Sequence, residues 1–374
     1  MSSPRVYVVS SLGNRTAGPE ALTLLVQSFR ERGIQAFLIP TYNSRGRANH
    51  PEYDSFDFEI ADTIPRDDSS HLVVTEVSPI ESFRELQRTP DHRTWMLWLS
   101  VNFSPIPRAR YYTAAQGGCS FLPPGSTRQL PELWPYDDQP ITSGAFRTFR
   151  EAKKRTSNQN SKSLRATAIE TISIEYAERV VKRNINFGTQ SYYGQGFIKS
   201  QLGRDSFKVT DYPRPMPAVD HLVKQRNVIA FNGAKGKWKL RELQPLLPDV
   251  EFRAIEGMNY KQVCEALAQA SLYVELGHLP GRDRLPREAA LVGTPTVMLA
   301  RGAGFCWKDF PIGEEYRIPY TVDWAQVMAP VIREALGDPG EITATQTPFR
   351  EWVEGEKARY ATAMDAWVER LDSN

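Results

Sequence analysis

The start of the chain alternates short apolar runs with a helical apolar face. Arg5–Ser10 predicts a strand, and the run IQAFLIP at 34–40 predicts the next one. Between them, apolar residues recur at three- and four-residue spacing and predict a helix from about Pro19 to Arg32. Pro19 suits a first helical turn, and Gly33 suits the end of the helix. This order of strand, helix and strand predicts the beginning of an open parallel sheet.

The same alternation continues and then restarts after a proline-rich stretch. Continuous apolar runs at 71–77 and 94–101 predict buried central strands. Residues 104–163 interrupt the pattern because they are rich in Pro, Gly, Ser and Gln, and they predict an irregular insertion. The stretch 211–226 contains three prolines and predicts a linker, after which the alternation begins again.

The second half repeats the pattern of the first. Its predicted strands are NVIAFNG at 227–233, VEFRAIEG at 250–257, SLYVEL at 271–276 and TPTVMLA at 294–300. We therefore expect an α/β protein with two Rossmann-like, doubly wound domains that face each other across a cleft. The first domain is expected over 1–210 and the second over 227–343, followed by a closing helix in 344–374.

The composition is that of an ordinary globular protein. The 374 residues are 41% hydrophobic and 24% charged, and the net charge of +2 does not by itself favour nucleic acid or a membrane surface. No apolar stretch approaches the roughly 18 residues of a membrane span, and the N-terminus predicts a strand and not a signal peptide. The three cysteines form no CxxC pair, which favours a reducing cytoplasm without a disulfide framework.

A charged segment, HLPGRDRLPREAALVG, follows the predicted strand SLYVEL. In open α/β sheets ligands bind beyond the carboxyl ends of the strands, and helix N-termini attract anions. Arg282, Arg284 and Arg287 outnumber Asp283 and Glu288 by one charge, and guanidinium groups suit phosphate or carboxylate. The sequence predicts a site for a phosphate-bearing ligand or a sugar. The alternative is a solvated helix start with an Arg284–Glu288 ion pair.

A second stretch, FNGAKGKWK, is expected at the same sheet edge. A strand ends at Gly233, and Lys235, Lys237 and Lys239 follow around Gly236 in a predicted loop. Small residues let backbone amides approach a phosphate, and the lysines supply positive charge. The alternative is a basic surface turn.

Two further loops carry weaker signals. Gly302 and Gly304 follow the strand TPTVMLA. Glu76 follows the strand LVVT at 72–75, where a carboxylate could act as a general base. Ser100 and Asn102 follow the apolar residues WMLWL at 95–99. For Glu76, a capping or hydrogen-bonding role is the alternative.

Several chemistries are not expected. The first loop, SSLGNRTAGPE, lacks GxGxxG, and no acidic residue ends the second strand, so a nicotinamide or flavin cofactor is not predicted. The five histidines form no HExxH or HxxxH metal pattern. There is also no GxSxG nucleophile elbow and no GxxxxGK[ST] phosphate loop.

Short segments in both halves resemble the GT-B glycosyltransferases. EAALVGTPTV resembles their E-A-x-x-x-G-x-P-V-V segment, and FNGAKGKWKL resembles the strand and the G-R-L-x-x-x-K-G turn that precede it. PGRDRLPREAA resembles more closely the variant H-P-G-K-D-R-x-P-R-E-A of glycosyltransferases from bacterial polysaccharide gene clusters. AGPEAL, WLSVNF and QSYYGQGF resemble further segments of that subgroup, in the expected order.

The resemblance implies a nucleoside diphosphate sugar bound mainly by the second domain. Lys235, Lys237 and the amides near Gly302 to Gly304 would contact the diphosphate, and Glu288 would contact the ribose or the sugar. The predicted nucleotide-sugar site comprises Gly233, Lys235, Lys237, His278, Gly281, Arg282, Asp283, Arg284, Arg287, Glu288, Gly302 and Gly304. Retaining enzymes of this type often carry a glutamate where this chain has Gly281, so the stereochemistry stays open.

The expected reaction transfers a sugar to a hydroxyl group of a glycan, a lipid-linked or another acceptor. Without a metal or other cofactor, the leaving diphosphate would be stabilised by Lys235, by helix-terminal amides and by the arginines, with Arg284 as the catalytic one. An inverting reaction also needs a base, for which Glu76 and then Glu20 are the candidates.

Two other functions stay open at this point. A nucleic-acid-modifying glycosyltransferase is one, because residues 150–165 are locally basic, and its binding would weaken steeply with salt. The other is a non-catalytic module that binds a sugar nucleotide, for which Gly281 is the best support.

Overall fold

The chain folds into two compact units, each built on one parallel sheet. The computed structural model describes residues 4–65, 70–77, 83–101, 112–126 and 177–372. The first unit contains the described residues up to 112, those from 177 to 211 and those from 360 onward; the second contains 113–126 and 212–359. This confirms the predicted α/β class with two doubly wound sheets. No helix among the described residues is long and apolar enough to cross a membrane.

The first unit has a six-stranded sheet in the order β2-β1-β3-β4-β5-β6, and all its neighbouring strands are parallel. Its strands are β1 (Arg5–Ser10), β2 (Gln35–Pro40), β3 (Ser70–Thr75), β4 (Thr94–Trp98), β5 (Asn186–Thr189) and β6 (Phe207–Lys208). Its helices include α1 (Ala17–Arg30), α2 (Phe83–Arg88) and α3 (Tyr192–Leu202), and residues 177–182 are also helical. The strand order reverses between β1 and β3, which places the topological switch point there.

The core of the first unit lies on continuous apolar strands and on the end of the chain. Every residue of β3 and β4 is buried, as expected for central strands of a parallel sheet. The ring of Trp367 packs against Phe29, Trp95 and Phe207, with centroid distances of 5.3, 5.1 and 5.9 Å. The last helix therefore supplies an aromatic anchor to this core.

The second unit has a five-stranded parallel sheet in the order β11-β10-β9-β7-β8. Its strands are β7 (Gln225–Asn232), β8 (Glu251–Ile255), β9 (Ala270–Glu275), β10 (Thr296–Ala300) and β11 (Arg317–Pro319). Its helices include α4 (Gly233–Leu243), α5 (Tyr260–Gln269), α6 (Arg284–Leu291), α7 (Trp324–Gly337), α8 (Pro339–Thr345) and α9 (Thr347–Glu354). The last helix, α10 (Glu356–Asp372), begins in this unit and belongs to the first unit from Tyr360 onward. The strand order reverses between β7 and β9, so the loops after these strands flank the switch point.

The stretch predicted as a basic loop is instead the beginning of a helix. α4 starts at Gly233, directly after β7, because Asn232 caps it: the side-chain oxygen accepts bonds from the amides of Ala234 and Lys235 at 3.1 and 3.2 Å. Gly236 serves close packing in this helix, since a Cβ atom there would lie 3.1 Å from the ring of Phe231. The three lysines therefore leave one helix in different directions.

The closing segment also differs from the prediction of one helix within 344–374. It contains the end of α8 and the helices α9 and α10, with breaks at Gln346 and Gly355. The first break places Gln346 beside β10, where its side chain forms hydrogen bonds of 2.8 Å with both the amide and the carbonyl of Thr296. The second break places Glu356, which is fully buried, at the start of α10.

Part of the predicted insertion belongs to the second unit and not to the first. Residues 113–126 run beside the loop after β10, where the amide of Trp307 donates to the carbonyl of Ser120 at 2.9 Å. The rings of Phe121 and Phe305 pack at 5.3 Å. The remaining parts of the predicted insertion, 104–111 and 127–163, lie outside the described residues, and so does Asn102.

Candidate functional site

The loops after β7 and β9 meet at the switch point of the second sheet. Lys235, in the first turn of α4, forms an ion pair with Asp283, the residue before α6, with an Nζ–Oδ2 distance of 2.6 Å. The two side chains are 20% and 24% exposed, so the pair is accessible to a ligand. Open α/β sheets bind ligands at this edge. The structure thus brings together the two stretches that were expected to share a site.

A glycine makes room for this ion pair. A Cβ atom at Gly277 would lie 2.7 Å from Cβ of Lys235 and 2.9 Å from Oε1 of Glu275. Such distances are shorter than carbon atoms tolerate, so a side chain at 277 would displace Lys235. The glycine after β9 is therefore part of what places the lysine.

Glu275 ends β9 below the ion pair and is fully buried. Its Oε2 accepts the hydroxyl of Tyr273 at 2.6 Å, and its Oε1 accepts the amide of Gly277 at 2.8 Å. Burial raises the pKa of Glu275, and the charge of Lys235 opposes that shift. Both carboxylate oxygens thus bind the chain itself and hold the beginning of the loop.

His278 and Gly302 are in contact, as two neighbouring loops of one site require. The backbones of Leu279 and Gly302 form a parallel bridge, and Gly302 has a φ of +58°. A Cβ at Gly302 would lie 2.8 Å from the His278 ring and 2.3 Å from the Leu279 carbonyl oxygen. Burial lowers the pKa of His278 well below its ordinary value, and the charges of Arg301 and Lys235 lower it further. The imidazole is therefore neutral at neutral pH.

Arg317, which the sequence reasoning missed, binds the backbone of the loop after β10, which contains Gly302 and Gly304. It is fully buried at the start of β11, and its Nη2 donates to the carbonyls of Gly304 and Phe305 at 2.8 and 2.7 Å. Its Nη1 donates to the carbonyl of Phe121. Burial lowers the pKa of Arg317 to about 10. A single arginine at the start of a short apolar strand was the only signal in the sequence.

Two of the three arginines in the charged segment bind a carboxylate of the chain. Arg282 and Arg287 both form ion pairs with Glu356, the second at 2.7 Å, and all three side chains are at most 1% exposed. Arg282 also lies over the ring of Trp352, at 4.3 Å from the centroid. The sequence predicted these guanidinium groups as ligand-binding groups at the sheet edge, and in the structure both bind Glu356.

The other predicted residues are distributed around the pair of Lys235 and Asp283. Arg284 and Glu288 are buried in the first two turns of α6, and the carbonyl of Gly281 accepts the amide of Asp283 at 3.1 Å. Gly233 packs against β8, since a Cβ there would lie 3.1 Å from Cβ of Ala254.

The remaining two lysines of α4 turn away from the switch point. Lys237 is exposed and pairs with Glu256. Lys239 is buried, donates to the hydroxyl of Tyr320 and lies 5.1 Å from the ring centroid of Trp324. Only Lys235 therefore extends toward Asp283.

The two candidate bases lie at the switch point of the first sheet. Glu76 directly follows β3 and is fully buried; its carboxylate accepts the amides of Leu99 and Ser100 at 3.0 and 2.9 Å and the Ser100 hydroxyl at 2.9 Å. Burial raises the pKa of Glu76 to about 7, although these hydrogen bonds lower it. Glu20 is buried in the first turn of α1.

A metal site is not evident in the parts of the chain that the structure describes. Within them, no group of three or more His, Cys, Asp or Glu side chains could hold a metal ion.

Comparisons with known proteins bear on the fold. No protein-family model and no curated protein matches the chain. Sucrose-phosphate synthase from Thermosynechococcus elongatus has a similar structure, with a TM-score of 0.60, 10% identity and coverage of 99% of each chain. Phytolacca americana UGT2, solved with UDP-2fluoro-glucose and pterostilbene, has a TM-score of 0.51 and 10% identity, with coverage of 98% of this chain and 100% of that chain. T4 phage BGT in complex with UDP and Mn2+ has a TM-score of 0.50 and 11% identity, with coverage of 98% of this chain and 99% of that chain.

The chain has the GT-B fold. In this fold the Lys235–Asp283 pair lies at the switch point of the second sheet, and Glu76 lies at that of the first. At identities of 10 and 11%, the comparisons show the fold and do not assign roles to individual side chains.

Proposed function

We propose that the protein is a glycosyltransferase that moves a sugar from a nucleoside diphosphate sugar to an acceptor hydroxyl. The observation that carries the proposal is the accessible Lys235–Asp283 pair at the switch point of the second sheet of a GT-B fold. Two similar structures, UGT2 and T4 phage BGT, were solved with UDP or a UDP sugar, which supports a nucleotide-sugar donor.

The donor half of the proposal rests on the first turn of α6. Asp283 occupies the N-cap position of this helix, but its carboxylate makes no cap hydrogen bond in the described structure and instead faces Lys235. A diphosphate would compete with Asp283 for Lys235 and would meet the positive end of the helix dipole. Arg284, the first residue of α6, is the proposed catalytic arginine. These groups would stabilise the negative charge that develops on the leaving diphosphate.

The acceptor half of the proposal assigns the base to Glu76, with Glu20 as the second candidate. A base works best when its pKa lies near the working pH, and the pKa of Glu76 is raised to about 7. An inverting reaction would pass the acceptor proton to this carboxylate as the oxygen attacks the anomeric carbon. The acceptor hydroxyl would have to replace the hydroxyl of Ser100 as a hydrogen-bond partner of the carboxylate.

Thermal unfolding in the presence of nucleotides tests the donor site. A panel of nucleoside diphosphates and their sugars, each with magnesium or with EDTA, should show stabilisation by one nucleotide class. A ligand at a hundred times its Kd adds about 2.7 kcal/mol to the free energy of unfolding. Equal stabilisation in EDTA is expected, because the proposed reaction uses cationic side chains in place of a metal.

A matched pair of variants assigns the effect to the proposed site. Lys235→Ala should abolish most of the stabilisation, whereas Lys237→Ala, two residues along the same helix and paired with the exposed Glu256, should preserve it. Equal effects of the two substitutions, or no stabilisation by any nucleotide, would contradict the proposed donor site.

A second candidate function is a non-catalytic module that binds a sugar nucleotide. The observation in its favour is internal pairing: Asp283 holds Lys235, and Glu356 holds two of the three nearby arginines. Hydrolysis of the stabilising sugar nucleotide without an acceptor separates the two functions. A transferase should release sugar slowly, and a module should release none.

A further inference from the structure

We infer that Glu356, the first residue of α10, is a positioning residue for the loop between β9 and α6, which carries Asp283. The role of that loop in donor binding rests on the proposed function. The positioning of the loop by Glu356 rests only on contacts within the second unit.

The carboxylate of Glu356 lies between two guanidinium groups. Glu356 is completely buried; its Oε1 binds Nη2 of Arg282, and its Oε2 binds Nη1 of Arg287 at 2.7 Å. Removing the acid from such a cluster leaves two buried positive charges without their anion, which is strongly unfavourable. The loop and the beginning of α10 are therefore held together by charge and not only by packing.

Arg287 connects Glu356 to the backbone of the loop. Nη2 of Arg287 donates to the carbonyl of Arg282 at 2.9 Å, and its Nε donates to the carbonyl of Asp283 at 3.3 Å. One guanidinium thus binds Glu356 on one side and the last two loop carbonyls on the other. Since these carbonyls belong to the peptides that orient Asp283, the position of Glu356 sets the position of the Asp283 carboxylate.

Arg282 is held by an aromatic ring as well as by Glu356. Arg282 lies over the ring of Trp352 in α9, at 4.3 Å from the centroid, and Arg359 of α10 lies over the same ring at 4.8 Å. Arg282 is therefore enclosed by α9 and α10. In this arrangement Arg282 and Arg287 act through Glu356 on the loop and are not themselves ligand-binding groups.

The test is Glu356→Gln, which keeps the size of the side chain and removes its charge. Hydrogen exchange should rise in the amides of 278–284 and stay unchanged in β7 and β9. The dissociation constant for UDP, measured by calorimetry, should rise by about tenfold to a hundredfold. The loop leads into the α6 amides and Arg284, which are proposed to bind the diphosphate, and small displacements of binding groups have effects of this size. At saturating donor, kcat should change by less than about twofold, since Glu356 touches no reacting atom.

Two further variants make the outcome decisive. Glu354→Gln, two residues earlier, changes a glutamate whose side chain is 57% exposed, and it should leave the UDP affinity within about twofold of the wild type. If Glu356→Gln does not fold, the double substitution Arg282→Met with Glu356→Gln removes one of the two buried charges and takes its place.

The outcomes separate this inference from the proposed function. Loop exchange and UDP affinity within about twofold of the wild type in a folded variant would overturn the inference, as would exchange raised evenly over the whole second unit. If the wild-type protein binds no nucleoside diphosphate, the proposed function fails. The exchange of 278–284 then still decides whether Glu356 positions the loop.

Discussion

Replacing Glu76 by glutamine should change the pH dependence of stability in the first unit. The carboxylate is fully buried after β3 and accepts three hydrogen bonds from Leu99 and Ser100. Burial is the largest influence and raises the pKa of Glu76 from 4.5 to about 7. The folded protein therefore holds this proton at pH values where the unfolded chain has already lost it.

The sign and size of the effect follow from this difference. A carboxyl group that keeps its proton longer in the folded state gives its full stability below about pH 4.5 and loses it as the pH rises to about 7. At roughly 1.4 kcal/mol per pH unit, a difference of about 2.5 pH units corresponds to about 3 kcal/mol. The folded state should thus lose about that much stability across this interval from Glu76 alone.

A histidine of the same strand acts in the opposite direction. His71 is buried in β3, and burial, together with the charges of Arg93 and His92, lowers its pKa from 6.5 to about 4. Its contribution is fully present above pH 6.5 and is lost as the pH falls to about 4. By the same conversion it amounts to about 3 kcal/mol. Between about pH 4.5 and 6.5 the two groups therefore nearly cancel.

The assay is urea unfolding of the wild type and of Glu76→Gln between pH 4.5 and 7.5. Hydrogen exchange of β1 and β4 assigns the transition to the first unit. Between pH 4.5 and 7.5, the free energy of unfolding of the variant should rise by about 3 kcal/mol relative to that of the wild type. The reason is that the variant lacks the Glu76 carboxyl group, whose titration destabilises the folded wild type as the pH rises. A constant loss of about 1–3 kcal/mol is expected as well, since the glutamine NH2 group faces a backbone N–H.

The control is Glu59→Gln, an acid that is 57% exposed and pairs with Arg30 at the surface. Parallel stability curves for the wild type and Glu76→Gln would refute the reasoning, because they would show that burial does not hold the Glu76 proton. The same variant also tests catalysis. Turnover close to that of the wild type would remove Glu76 from the role of base.

Two further predictions concern the loop after β10. Gly302→Ala should lower stability and UDP affinity far more than Gly293→Ala, although both glycines have a positive φ. The new Cβ of Gly302→Ala would lie 2.3 Å from the Leu279 carbonyl oxygen, whereas that of Gly293→Ala would lie 3.9 Å from its nearest neighbour. Equal melting temperatures for these two variants would contradict this. Arg317→Met should lower the free energy of urea unfolding by about 3 kcal/mol or more, because three buried carbonyls lose their donor. Arg333→Met, at a side chain that is 49% exposed, should stay within about 1 kcal/mol of the wild type, and a comparable loss there would argue against the assigned contacts.

The sheets could be predicted from the sequence because their strands are buried on both faces. β1 has the predicted bounds, and β10 differs from its prediction by two residues at the start. Such strands appear as short continuous apolar runs between turn residues, and the order of strand and helix then predicts a doubly wound sheet. The edge that carries the candidate site follows from the same rule, since ligands bind where parallel strands end.

The directions of the side chains could not be predicted in the same way. Lys235, Lys237 and Lys239 alternate along the sequence and were expected to act together in a loop. Asn232 starts a helix there, and helical geometry sends the three lysines to Asp283, Glu256 and Tyr320 respectively. A single capping residue thus decides which lysine can meet a ligand, and its effect depends on where β7 ends.

The charge balance around the segment after β9 includes a residue that is distant in the sequence. The segment itself contains three arginines and two acids, Asp283 and Glu288, which leaves an excess of one positive charge. Glu356, 74 residues from Arg282 and 69 from Arg287, is the third acid, and with it the excess disappears. In the proposed function, Lys235 and Arg284 supply the positive charge for a diphosphate, and Lys235 exchanges its contact with Asp283 for a contact with the phosphate. In the proposed function, affinity at this edge is a competition between two anions for one lysine, and the amides at the start of α6, whose preceding loop Glu356 holds through Arg287, favour the diphosphate.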